Sequence, residues 1–386
     1  MAANQTLGTA RKSKNDEFYT RFQDIEKEIN SYLELDPDVF RGKIVLLPCD
    51  DPEWSDFTKY FAQNFERLGL QKLISTSYAP NSKPEDVFSQ PTLFEIESPH
   101  FDELKSRMKG KIFTLHRDRT GDRRINAEDL EWSYLEGDGD FRSDEIKKLR
   151  EEADVIVTNP PFSLFREFFK WIFDSNKLFL VIGNMNAITY KEVFPHIMEN
   201  RVWTGATNFN TGMYFRVPVS FVYAPTYKFE RERNGEKVNR VPGVCWFTNL
   251  DHGRRHQPLS LMSTADNFKF SKHKEVVGIG YHSYENFDAI EIPFTDSIPS
   301  DFEGIMGVPI SFLDKYNPDQ FEIIGNGQTM ANELGIRPVG QKFVDDYYAQ
   351  GNKGQINANW NNLVYRNGEK ACVPYQRILI RKKGVQ

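Results

Sequence analysis

Four consecutive residues, Asn159-Pro160-Pro161-Phe162, place a side-chain amide, two fixed φ angles and an aromatic ring at the end of the apolar run Asp154–Thr158. Two prolines in a row fix φ twice and remove two backbone donors. The turn therefore holds its carbonyl oxygens and the Asn159 amide in one place. Fixed acceptors beside a flat ring suit a planar molecule carrying an exocyclic NH2 group, and adenine is such a molecule. Its amino lone pair is delocalised into the ring, which makes the nitrogen a poor nucleophile. If the Asn159 side-chain oxygen and the Pro160 carbonyl accept its two N–H groups, a pyramidal nitrogen is favoured. The lone pair is then available to attack an activated methyl group in line. Phe162 is placed to stack on the base and hold it. Neither a covalent enzyme intermediate nor a metal is needed. Taken alone, the tetrad is equally a stiff loop between a strand and a helix.

The flanking elements shift that balance. Asp154–Thr158 reads as a buried strand, and Phe162, Phe165, Phe168, Phe169, Ile172 and Phe173 mark a helix that packs on one face. Upstream, Ile25, Ile29 and Leu33 fall at helical spacing, and Ile44–Pro48 is a strong buried strand ending in the carboxylate-bearing turn Pro48-Cys-Asp-Asp-Pro52. Trp54, Phe57, Phe61, Phe65 and Leu68 predict one amphipathic helix stopped by Gly69, with Asp51 as a candidate cap. Lys72–Tyr78 and Ile112–His116 read as further strands, and 117–131 as a charged loop or hairpin. Asp138-Gly-Asp140-Phe141 forms a turn before a short helix through Ile146 and Leu149, Leu178–Ile182 is a strand, and Ile188–Met198 a helix.

Strands alternating with helices imply a mostly parallel sheet covered on both faces, with ligands at the carboxyl ends of its strands. Pro48-Cys49-Asp50, Ser77-Tyr78 and Asn159–Phe162 all fall at that edge. Beyond residue 200, Val219–Tyr223 and Val244–Thr248 look like a hairpin closing the sheet, with polar Lys228–Arg240 as the exposed loop between them. After about 255 an irregular second lobe is expected. It ends in the apolar strand of Val373–Lys383 with a basic finish.

The composition supports a folded chain able to bury a core, with 39% hydrophobic and 14% aromatic residues among 386. Cys49, Cys245 and Cys372 lie far apart without a Cys-x-x-Cys, which argues against a zinc site or a disulfide framework. No apolar run approaches membrane length, and Met1 is followed by a polar arm, residues 1–14, rather than a signal peptide. A cytoplasmic protein with no membrane partner is the expectation. The net charge of −6 hides an uneven distribution: residues 1–200 carry a balance of −9, 201–275 of +6, and 276–386 of −3. A basic middle stretch can steer a polyanion to one face. Within it, His252, Arg254, Arg255 and His256 are candidates for phosphate contact, Arg254 and Arg255 foremost.

Taken together, five separated pieces resemble the EcoRI-type adenine-specific DNA methyltransferases. They are Asn15–Thr20, Val45–Trp54, Gly139–Phe141, Asn159–Phe162 and Pro374–Ile380, in the family's order from about 15 to 383. Other amino-methyltransferases share the Asn-Pro-Pro-aromatic tetrad, whereas Leu-Pro-Cys-Asp-Asp-Pro-Glu-Trp is more specific. The resemblance implies a Rossmann-like S-adenosylmethionine-dependent methyltransferase domain over 1–255 and a target-recognition, DNA-binding lobe over 256–386. It implies transfer of a methyl group from S-adenosylmethionine to adenine N6 in double-stranded DNA, with the base flipped out of the stack. Asn159, Pro160, Pro161 and Phe162 match the catalytic loop. Phe18, Tyr19 and Thr20 match the segment over the cofactor, Pro48, Cys49 and Asp50 its first loop, and Asp140 and Phe141 the segment at its adenine. No metal is implied. A monomer is expected; whether a restriction endonuclease shares the site is left open, and no stable complex with one is expected. Two departures from the wider methyltransferase pattern stand out. The usual Gly-rich first loop is Pro-Cys-Asp-Asp-Pro here, and no carboxylate follows the second strand, leaving Glu85 or Asp86 for the ribose. RNA adenine, protein glutamine and a non-catalytic nucleic-acid-binding module remain open as other readings.

Overall fold

The computed structural model describes residues 19–50, 55–79, 101–125, 127–217, 219 and 221–384. The chain divides into two compact units, one of residues 1–185 and 203–253, the other of 186–202 and 254–386. The second unit thus takes a short piece from the middle of the first.

In the first unit, apolar runs make the centre of an eight-stranded sheet. Its strands are β2 (Ile44–Leu47), β3 (Lys72–Ser77), β4 (Lys111–Leu115), β5 (Glu131–Tyr134), β6 (Val155–Thr158), β7 (Leu178–Asn184), β8 (Trp203–Thr204) and β12 (Val244–Thr248), ordered β5-β4-β3-β2-β6-β7-β12-β8. The four inner strands, β3-β2-β6-β7, are parallel. Val45, Leu46, Leu47, Val155, Ile156 and Val157 are each 0% exposed, as expected of strands covered on both faces. The outer strands on both sides run antiparallel, so the sheet is more mixed than the alternation of strands and helices predicts.

A second sheet, β1-β9-β11-β10, joins β1 (Tyr19–Thr20), β9 (Met213–Arg216), β10 (Glu232–Arg233) and β11 (Glu236–Val241). Two expectations fail here. The described residues of Val219–Tyr223 form no strand, and Val219 and Val222 are 89% and 87% exposed; β12 pairs instead with β7 and β8. The polar stretch 228–240 is not a plain loop. Asn234 (φ 53) and Gly235 (φ 79) supply the left-handed pair of a tight hairpin turn between β10 and β11.

The helices follow their apolar faces. α1 (Phe22–Leu33) buries Ile25, Ile29 and Tyr32 and is fixed by Glu28, which accepts from the Tyr32 hydroxyl and from the Ala206 and Thr207 N–H groups. The single helix expected through Leu68 is split at Asn64 into α2 (Asp56–Gln63) and α3 (Phe65–Leu68). Its cap is Ser55, whose hydroxyl accepts from the Phe57 N–H; Asp51 and Trp54 lie outside the described residues. α4 (Glu103–Met108), α5 (Asp144–Glu152) and α6 (Phe165–Phe173) complete this unit. On α6, Phe165, Phe168, Phe169, Trp171 and Ile172 are buried, as their spacing predicts.

In the second unit, the helix expected over Ile188–Met198 is reduced to a 3-10 turn ending at Thr189 and the short α7 (Phe194–Met198). Pro195 has no N–H to give a preceding turn, so it stands in the first turn of α7. The unit also holds α8 (Thr264–Phe270), α9 (Gln341–Ala349) and a regular five-stranded sheet where an irregular lobe was expected. The sheet comprises β13 (His282–Ser283), β14 (Ile290–Glu291), β15 (Met306–Pro309), β16 (Phe321–Asn326) and β19 (Arg377–Lys382), ordered β13-β14-β15-β19-β16, and β17 (Tyr365–Asn367) and β18 (Lys370–Cys372) pair separately. The predicted C-terminal strand becomes β19, an interior strand whose Ile378, Leu379 and Ile380 are 0% exposed.

Candidate active site

The Asn159 turn leaves β6 at the carboxyl edge of the parallel strands. Thr158 is fully buried, Pro160 is buried, and Asn159, Pro161 and Phe162 are half-buried. The Asn159 side-chain oxygen is out of contact with solvent. Pro161 (φ −55, ψ 122) directs the chain into a 3-10 turn over Phe162–Leu164, and its carbonyl accepts from the Leu164 N–H at 3.0 Å. That commits the Pro161 carbonyl to the turn itself. The Phe162 ring meets Phe215 of β9 edge-on, with centroids 6.3 Å apart.

The first loop, at the end of β2, is bound to this turn through one carboxylate. Asp50 is 5% exposed; its Oδ1 accepts from Ser55 Oγ at 2.7 Å and its Oδ2 from Thr158 Oγ1 at 2.6 Å. Its main chain is held as firmly: the N–H donates to the Thr76 carbonyl at 3.1 Å, and the carbonyl accepts from Thr58 Oγ1 at 3.2 Å and from Ser75 Oγ. Thr76 Oγ1 donates to the Pro48 carbonyl at 3.0 Å. Buried hydroxyls at the end of β3 thus hold the loop at the end of β2. The Cys49 thiol is pushed well up by burial, with the Asp50 charge next, opposed by a Thr158 hydrogen bond and reinforced by Asp140. It stays a neutral thiol.

The Asp138–Phe141 turn closes on the same edge. The Ala79 N–H donates to the Asp138 carbonyl at 2.8 Å, and Gly139 (φ 85) lies so close to β3 that a Cβ there would sit 2.2 Å from the Ser77 carbonyl oxygen. Asp140 accepts from Arg142 Nε at 2.9 Å and from Arg142 Nη2 at 2.6 Å, which holds its carboxyl below the usual range against a smaller desolvation effect. Phe141 is 4% exposed and packs edge-on against Phe168 (5.0 Å) and Trp171 (5.8 Å) of α6. Its ring anchors the turn.

The N-terminal strand reaches this edge through the second sheet. Tyr19 and Thr20 pair with Arg216 and Phe215, so Thr20 lies opposite the residue that touches Phe162. Asp56 locks the arrangement, accepting from the Phe22 N–H at 3.0 Å and from Arg216 Nη2 at 2.9 Å. Tyr19 is half-buried and Thr20 is buried. Phe18, Glu85 and Asp86 lie outside the described residues.

Thus the structure brings Tyr19, Thr20, Pro48, Cys49, Asp50, Asp140 and Phe141 to the edge that carries Asn159–Phe162. Arg254 and Arg255 belong to the second unit. Arg254 pairs with Asp314, whose carboxyl is pushed up by burial and drawn back by that charge. Arg255 is 8% exposed and donates to Asn200 Oδ1, so it packs the unit instead of meeting phosphate at the surface. His252 is 3% exposed, with Nε2 at 3.0 Å from the Thr204 carbonyl. The hydroxyl set Ser55, Thr58, Ser75, Thr76 and Thr158 went unread in the sequence. Its one visible sign is Ser75-Thr76-Ser77, three consecutive hydroxyls following Leu73 and Ile74 in one strand. Among the described residues, no group of three or more His, Cys, Asp or Glu gathers as metal ligands, and no helix is long and apolar enough to cross a membrane.

Comparison with known proteins places the chain in a family. The family described as adenine-specific methyltransferase EcoRI matches residues 6–383. Type II methyltransferase M.EcoRI of Escherichia coli is 39% identical over 323 residues, 84% of this chain and 89% of the relative. Type II methyltransferases M.MpnI of Mycoplasma pneumoniae and M.MgeORF184P of Mycoplasma genitalium are each 33% identical over 316 residues, 82% of this chain and 83% and 84% of those relatives. No solved structure matches the chain. A match across nearly the whole length, together with relatives above 30% identity, makes this chain a member of the EcoRI family of adenine-specific methyltransferases.

Proposed function

We propose that the chain is a site-specific DNA methyltransferase that moves a methyl group from S-adenosylmethionine to N6 of an adenine flipped out of the duplex. The observation that carries this is the hydrogen bond from Thr158 to Asp50, which joins the Asn-Pro-Pro-Phe turn to the first loop on one sheet edge. In this reading the parallel strands form a Rossmann-like cofactor domain, and residues 256–386 read the target sequence. A type II relative suggests a nuclease that cuts at the same site.

The loops suit the cofactor. Gly139 leaves no Cβ between the 138–141 turn and β3, so the turn lies directly on the end of that strand. Tyr19, Cys49, Tyr78 and Asp140 retain exposure there, and would border the bound molecule, while Asp50 and Phe141 shape the wall from behind. When bound, S-adenosylmethionine supplies an electrophilic methyl on a sulfonium. Asn159 Oδ1 and the Pro160 carbonyl accept the two N–H groups of the adenine, which turns its lone pair outward. Phe162 holds the base face, its ring braced by Phe215. Unstacking a base costs a few kcal/mol, and stacking with the two hydrogen bonds offsets part of it.

The test is Asn159→Ala in the full chain. Methyl transfer to duplex DNA, followed with labelled S-adenosylmethionine, should fall at least ~100-fold, the scale of losing a positioned hydrogen-bonding group at a reacting centre. DNA binding should stay within a few-fold of wild type. Near wild-type transfer by the variant, or wild-type labelling of RNA or protein with none in DNA, rejects the assignment.

A further inference from the structure

We propose that the second sheet of the first unit carries a clamp for the phosphates of duplex DNA, built on an aromatic row beside the catalytic turn. The inference rests on the DNA-methylation reading and supplies the phosphate contacts that buried Arg255 and carboxylate-paired Arg254 do not.

The row is Phe221, Tyr223, Tyr227 and Phe229, with successive ring centroids 5.3, 4.8 and 5.7 Å apart. Two of its rings are pinned: the Tyr223 hydroxyl shares its one proton between the Arg231 carbonyl at 2.9 Å and the Val238 carbonyl at 2.8 Å, and the Tyr227 hydroxyl donates to the Glu230 carbonyl at 2.9 Å. Cations gather on these rings. Arg231 lies 5.0 Å and Lys237 5.4 Å from the Tyr223 centroid, and Arg240 lies 4.3 Å from that of Phe229. Lys228 stands exposed between Tyr227 and Phe229.

The charge is not used up internally. The basic members near this row that find carboxylates are Arg233, on Glu230, and Arg216, on Asp56 and Glu236. Among the described residues, Lys228, Arg231, Lys237 and Arg240 form no salt bridge. Lys237 donates to the Val219 and Phe221 carbonyls and Arg240 to that of Thr211, so these two hold loops while keeping their charge. Lys228 and Arg231 are exposed. Four unneutralised cations on a rigid, half-exposed aromatic base fit a regularly spaced polyanion. Lys237 and Arg240 stand on β11, which pairs with β9, and β9 meets the Asn159 turn at Phe215–Phe162, so a strand held here lies near the reacting base.

The double variant Lys228→Ala/Arg231→Ala tests this in the full chain, against Lys27→Ala on the exposed face of α1 as a control. Binding to a mixed-sequence duplex is measured from low to moderate salt. The plot of log K against log salt should flatten by about 1.8 in the double variant, about 0.9 for each phosphate left unneutralised, and not at all in the control. Thermal melting of each protein checks that the fold is intact. Equal slopes for the double variant and a wild type that binds and methylates DNA overturn the clamp and leave the methylation reading standing. A wild type that neither binds nor methylates duplex DNA overturns both.

Discussion

At the residue scale the candidate edge is organised by hydroxyls gathered on one carboxylate, Asp50. Thr158 precedes Asn159 and donates to a buried carboxylate 108 positions earlier, which ties the Asn159 turn to the first loop. Thr158→Val keeps the shape and removes that donor. Leaving Asp50 Oδ2 short of a partner costs about 1–3 kcal/mol. The expected outcome is a several-fold rise in the KM for S-adenosylmethionine together with a fall in kcat, both restored by Thr158→Ser. Loss of stability alone, with unchanged kinetic constants for the folded fraction, would mean that the bridge holds the fold and does not align the site. The tetrad itself was legible because proline constrains the backbone through its own ring, whatever surrounds it. The hydroxyl set was not, because Thr158 reads as the last β-branched residue of an apolar run and its partner is distant in sequence. Arg254 and Arg255 misled for the same reason. Adjacent arginines look like surface charge until their partners, Asp314 and Asn200, are brought in from elsewhere in the chain.

At the element scale the loops at the strand ends matter more than the strands. The 138–141 turn approaches β3 so closely that position 139 tolerates no side chain, and its φ of 85 is strained for any L-residue. Gly139→Ala should push the turn away from Ser77, weaken S-adenosylmethionine binding by tenfold or more, and lower the melting temperature. Calorimetric titration of the variant measures this, and unchanged affinity would remove the turn from the cofactor wall. Parallel strands buried on both faces announced themselves as continuous apolar runs, and α1 and α6 did so by helical spacing. The failures lie where a local signal met a stronger one. Val219–Tyr223 has strand composition, yet its valines face solvent and β9 finds its partners in β1 and β11. The Asn234-Gly235 pair was a hairpin signal hidden in a highly charged stretch. The direction of β4 and β5 was not readable at all, since parallel and antiparallel pairing make similar demands on side-chain burial in a short strand.

At the scale of the whole molecule, two compact units each carry a core of their own, and the chain crosses between them more than once. The second unit was underestimated from sequence because its strands are short and separated by long irregular segments, so no period emerges over any one of them. What pins its sheet is a buried ion pair. Glu291 is 2% exposed and accepts from Arg377 Nε on β19 at 3.0 Å, from its Nη2, and from the Tyr284 hydroxyl. Breaking such a pair from one side leaves an uncompensated buried charge and costs about 3–5 kcal/mol. Glu291→Gln should therefore lower the melting of the second unit selectively. Differential scanning calorimetry should resolve two transitions, with Glu291→Gln moving one and Gly139→Ala the other. Saturating S-adenosylmethionine should raise the Gly139-sensitive transition, by about 2.7 kcal/mol at a hundredfold excess over Kd, because a ligand stabilises the unit that binds it. A single cooperative transition would refute independent units. A cofactor shift confined to the Glu291-sensitive transition would move the binding site off the parallel sheet, and the roles given to Asp140, Cys49 and Asn159 would go with it.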